Sequence, residues 1–130
     1  MDNVEELEKL CQKIIKLGPH MRSARFINSR GHLMAGGMKK GLLSLEAQKQ
    51  DEMMFMELAL RVRMRHEFDN EFGEVHFSMS YRDKVIVMSF PLSNDDVLLL
   101  SCEKKMDFGK LPFKVLKIIE PLKKSPMKTF

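Results

Sequence analysis

The segment from Gln48 to Phe72, closed by Gly73, constrains the fold more than any other part of the chain. Its centre, MMFMELALRVRMRHEF over residues 53–68, is apolar in its first half and alternates arginine with apolar residues in its second. Alternation is a strand signal, but a strand of this length would be several times the usual size. A helix of about five to six turns accommodates the segment. Asp51 and Glu52 stand early and Arg61, Arg63 and Arg65 late, the order that a helix dipole favours, and Gly73 supplies the stop.

Spaced at about 100° per residue, the side chains separate into two apolar lines. Met53, Met56, Leu60 and Met64 form one, and Phe55, Leu58, Ala59 and Val62 form the nearly opposite one. Glu57, Arg61 and Arg65 make a polar strip between them. Arg63 and Glu67 border the first line on its other flank, and His66 lies within the second. A surface helix needs one apolar stripe to cover its own domain. The second stripe calls for another helix of the same chain or a partner subunit.

The remaining periodicities are simpler. An amphipathic helix is expected from Asp2 to Leu17, with Val4, Leu7, Leu10, Cys11, Ile14, Ile15 and Leu17 as its apolar positions, stopped by Gly18-Pro19. Two short apolar runs, Met21–Asn28 and His32–Gly37, flank Ser29-Arg30-Gly31 and read as a β-hairpin in which Gly31 supplies positive φ. A connection from Met38 to Ala47 follows, with one helical turn expected around Leu42–Leu45.

After Gly73 the period becomes two, Val75, Phe77, Met79 and Tyr81 alternating with His76, Ser78 and Ser80. Lys84–Phe90 is nearly continuous in apolar residues and reads as a central strand, and Val97–Glu103 completes an antiparallel meander. A last helix starts near Lys110, with Pro112 tolerated in its first turn. The order α-β-β-α-β-β-β-α predicts an α+β domain over residues 1–124, with helices on a five-stranded antiparallel sheet. Residues 125–130 read as a loose tail.

Chemistry is harder to find. His20, His32, His66 and His76 have no ligand spacing with one another or with Cys11 and Cys102, so neither a metal nor a cofactor is expected. No phosphate-binding glycine loop and no catalytic motif is present, and no enzymatic activity is expected. The formal charge is only +4 and no basic run is interleaved with aromatic residues, which ranks nucleic acid behind protein as a partner. Acidic residues crowd the start, no apolar run approaches a membrane span, and two free cysteines suit a reduced compartment. A cytoplasmic location is therefore expected. Twelve methionines and no tryptophan hint at an adaptable contact face.

The element order resembles that of the roadblock/LC7 family, a branch of the profilin-like and longin-like folds, over essentially the whole chain. The hairpin Phe26-Ile27-Asn28-Ser29-Arg30-Gly31-His32-Leu33 is similar to the hydrophobic–acidic-x-x-Gly hairpin of that family, with Asn28 where Asp is more usual. The chain also resembles a group of uncharacterised archaeal proteins with FINSRG-type hairpins and MELALR-type helices. The family resemblance implies a homodimer in which the long helix pairs antiparallel with its copy and the following strand joins the two sheets.

On that basis Phe55, Leu58, Ala59, Val62, Arg65, His66, Val75 and Phe77 are expected at the dimer interface. Arg61 and Arg65 read first as a solvated strip ion-paired with Glu57 at four-residue spacing; the second reading has Arg61, Arg63 and Arg65 contact a further partner, a small Ras-like GTPase or another protein. The alternatives are a ligand-sensing profilin- or PAS-like domain with a Met-lined pocket and, behind it, a nucleic-acid-binding protein.

Overall fold

The computed structural model describes residues 4–123. The expected helix start at Asp2 and the tail at 125–130 lie outside the described residues. The elements are α1 (Val4–Ile15), β1 (Met21–Ile27), β2 (Leu33–Met38), α2 (Gln48–Arg65), a 3-10 turn (His66–Phe68), α3 (Asp69–Phe72), β3 (Ser78–Tyr81), β4 (Ile86–Pro91), a second 3-10 turn (Ser93–Asp95), β5 (Val97–Cys102) and α4 (Leu111–Lys123). The strands form one sheet in the order β2-β1-β5-β4-β3, with every neighbouring pair antiparallel. This is the expected α+β layout.

Helices cover both faces of the sheet. On one side, Leu7, Cys11 and Ile14 of α1 and Leu111, Val115 and Ile119 of α4 pack with Phe26, Met88, Phe90, Leu98 and Leu100. On the other, Phe55, Leu58 and Val62 of α2 pack on Ile27, Val97 and Leu99. Each of these α2 side chains is worth about 1.5–3 kcal/mol of burial. Cys11 and Cys102 are both buried. Burial is the main cause that pushes their thiols up to about 12 and about 11, so both behave as apolar packing groups.

Four expectations change. The long helix is interrupted after Arg65, where His66–Phe68 tighten into a 3-10 turn and α3 adds a single turn before Gly73. Strand β3 begins at Ser78, not Val75. Its register sets Ser78 against Ser89, and continuing it would set His76 against Pro91, which has no N–H to offer. The central strand is β5, whose residues Val97–Leu100 are all buried, with β4 beside it. No helical turn forms at Leu42–Leu45; a single turn closes just before it, with Lys39 O accepting from the Leu42 N–H.

The β1–β2 hairpin forms as expected. Asn28 Oδ1 accepts from the N–H groups of Arg30 (2.9 Å) and His32 (3.0 Å), so the turn needs a side-chain oxygen and not a charge. Gly31 has φ 83°, and a Cβ there would sit 2.9 Å from the Met56 Cα. The turn therefore lies directly against α2.

Candidate interaction surface beside the long helix

Helix α2 is fastened to the body along one flank and left open along the other. At its start, Gln50 Oε1 accepts from the Ala47 N–H. Beneath the first turns lies Arg25, only 6% exposed, with its guanidinium over the Phe55 ring. Arg25 Nη1 faces Glu46 at 3.7 Å and Asp51 at 3.8 Å, and Nη2 donates to Ser44 Oγ at 3.2 Å. Burial and the adjoining Glu46 carboxyl push Asp51 up to about 6, while its hydrogen bond to Asp51 holds Glu46 below the usual carboxylate range. Below about pH 6 the pair holds one proton, with Asp51 donating to an ionised Glu46, and above it both carboxyls are ionised beside Arg25.

At the other end, His66 joins the helix to the β4–β5 turn. Its Nδ1 lies 2.8 Å from Asp69 Oδ2 and its Nε2 lies 2.8 Å from Asp95 Oδ1. The bonds to Asp69 and Asp95 raise the imidazole above its ordinary value. Asn94 and Asp95 both hold positive φ there, at 61° and 62°.

The open flank of α2 walls a groove of about 920 Å³ over the sheet. Gln50, Met54, Glu57, Leu58, Arg61 and Arg65 line it from the helix. The floor is polar, because register aligns Ser23 of β1 with Ser101 of β5, and Ser89 of β4 with Ser78 of β3. The Ser23 and Ser101 hydroxyls bond to each other. Arg65 Nη1 donates to Ser78 Oγ at the groove's rim. Among the described residues no strand follows beyond β3, so its outer edge ends the sheet. The opposite edge differs: the Gly36 N–H of β2 is taken by Glu8 Oε2 of α1 at 3.1 Å.

The expected interface residues do not share one surface. Phe55, Leu58, Ala59 and Val62 are only 2–5% exposed, and they are spent on the protein's own sheet. The expectation that they meet a second subunit is corrected, since a side chain already buried has no surface to give. Phe77 packs on Phe90 and Phe113, on the α1–α4 side of the sheet. His66 is bound to its two aspartates, and Val75 is half-buried beside Val62, Arg65 and Pro91. Of the eight, only Leu58 and Arg65 line the groove.

The other apolar line is the free one. Met53, Met56, Leu60 and Met64 are 51–66% exposed and form a ridge along the outside of α2. The three arginines also separate. Arg61 pairs with Glu57 at 3.1 Å and faces the groove with Arg65, whereas Arg63 lies on the opposite flank and donates to Ser29 O at 2.9 Å. Arg25, Glu46 and Asp51 carry no short-range motif. Their one sequence cue is an arginine at alternate spacing between Ser23 and Ile27, on the strand face that α2 covers.

A family of unknown function, DUF6659, matches the chain over residues 1–129. The chain belongs to DUF6659. Solved roadblock/LC7 structures share the fold. The roadblock/LC7 domain from Streptomyces avermitilis is 15% identical, with 88% of this chain and 94% of that one covered and a TM-score of 0.64. MglB in a tetrameric arrangement is 11% identical, covering 92% and 86%, with a TM-score of 0.75. The gliding protein MglB from Thermus thermophilus is 10% identical, covering 92% and 90%, with a TM-score of 0.72. No curated protein matches the chain. The DUF6659 chain thus has a roadblock/LC7-like fold, and no helix among its described residues is long and apolar enough to cross a membrane.

Proposed function

We propose that this DUF6659 chain is a non-enzymatic, self-associating interaction module that acts as a platform or regulator for a small Ras-like GTPase. The observation that carries the reading is the half-covered sheet face. Helix α2 occupies one side of that face and leaves beside it a groove that ends at the open edge of β3. A second α2, brought in as two β3 edges meet, fits both features, since unpaired strand edges seek a partner. The edge at β2 is already occupied by Glu8, which leaves β3 for this role. MglB, which shares the fold, has been solved in a tetrameric arrangement.

In such a dimer the two ridges of Met53, Met56, Leu60 and Met64 stand away from the sheet and offer an adaptable apolar surface to another protein. That surface is the assigned platform. The test is direct binding of purified protein to small Ras-like GTPases loaded with GDP or with a non-hydrolysable GTP analogue. Nucleotide-dependent binding that Met53→Ser with Leu60→Ser abolishes is expected. Equal, negligible binding in both nucleotide states would overturn the GTPase assignment while leaving self-association standing.

A groove of this volume also falls within the range of ligand pockets, about 300–1,000 Å³. Its serine and arginine lining departs from the Met-lined pocket expected of a sensing domain, because only Met38, Met54 and Met79 reach it.

A further inference from the structure

The flank of α2 that faces the groove is self-complementary in charge. Glu57, Arg61 and Arg65 follow one another at four-residue steps along it. Glu57 is well exposed, and its one ion pair among the described residues is with Arg61 of its own helix. Arg65 is half-buried and donates to Ser78 Oγ, but has no carboxylate partner among the described residues. Burial and the neighbouring Arg61 charge both lower its affinity for its proton. A guanidinium withdrawn from water beside a second arginine is under-compensated, and a carboxylate from outside would complete it.

Arg61 lies midway between Glu57 and Arg65. A twofold axis at its level, relating two antiparallel α2 helices across the groove, sets residue 57 of each against residue 65 of the other. We propose that Glu57 of each protomer pairs with the partner copy's Arg65, and that these two equivalent ion pairs fix the antiparallel register of the dimer. The inference rests on the self-association reading above and adds its recognition chemistry. Isologous contact of this kind repeats every pair by symmetry, so one favourable relation counts twice. Arg61 meets its own copy in either orientation, but a parallel arrangement would also set Glu57 against Glu57 and Arg65 against Arg65, which like charges oppose.

Charge reversal tests the pairing. Glu57→Arg alone and Arg65→Glu alone each place like charges at both symmetric contacts, so each is expected to weaken the homodimer about tenfold or more. Mixing the two variants restores both pairs in the heterodimer, which native mass spectrometry should find in excess over either homodimer. The double variant E57R/R65E should again form a homodimer. If Arg65→Glu fails to fold, Arg65→Gln, which keeps a donor for Ser78, must still weaken the dimer and flatten its salt dependence. Variants that dimerise like wild type and mix statistically overturn the pairing but leave the dimer intact. A wild-type chain that is monomeric overturns the reading beneath it as well.

Discussion

Arg65 Nη1 donates to Ser78 Oγ across 2.6 Å, tying the last turn of α2 to the first residue of the edge strand. Ser78 is in turn the register partner of Ser89 on β4. The bond closes the groove at its rim, while Phe55, Leu58 and Val62 hold the helix on the sheet. Replacing Arg65 with Met keeps the stem and removes the bond. The expected loss in denaturant unfolding is about 1 kcal/mol, the ordinary net worth of a hydrogen bond, with little change in m-value.

Leu58 and Leu60 are two residues apart on α2 and should respond oppositely. Leu58 is 5% exposed against the sheet, so Leu58→Ala should cost about 2–4 kcal/mol of folding stability. Leu60 is 51% exposed on the outer ridge, so Leu60→Ala should stay within about 0.5 kcal/mol and instead weaken partner binding. Urea titrations of the two variants side by side check this. Equal losses would mean that the helix face is misassigned.

Arg25→Ala would strand Glu46 and Asp51 together at the start of α2. The expected cost is about 2–4 kcal/mol, below that of a fully buried pair because the Glu46 side chain keeps 30% of its surface. A further Asp51→Asn change removes one stranded carboxyl and should recover part of the loss. Additive losses in this double-mutant cycle, read by thermal unfolding, would show that the groups are not coupled.

His66 makes stability pH-dependent in a definite direction. Asp69 first and Asp95 second raise its folded pKa above the ordinary 6.5. The protonated ring therefore stabilises the fold, fully below about pH 6.5, and the contribution fades as pH rises through the folded value. His66→Gln should lower Tm clearly near about pH 5.5 and much less near about pH 9. A deficit that grows with pH would contradict the clamp.

Much of the framework was legible in local pattern. The period-two run through Met79 and Tyr81, the Asn28–Gly31 turn and the two apolar lines of α2 all rest on residues close in sequence. What failed depended on distant partners. The break after Arg65 goes with His66 meeting Asp95, 29 residues away. Periodicity separated Leu58 from Leu60 but held nothing about which would meet Val97 and Leu99 of β5. The serine floor exists only because register brings Ser23 beside Ser101 and Ser78 beside Ser89. Each serine looks ordinary in its own strand. Arg25 had no visible partner until the 39–47 connection folded Ser44 and Glu46 back over it.

Self-association through the open side of α2 and the β3 edge is the central claim, and molar mass in solution tests it most directly. Light scattering on the eluting protein should give twice the 15.2 kDa chain mass, falling toward the monomer when Arg65→Glu is introduced. A wild-type mass that stays at one chain at every concentration would contradict the account.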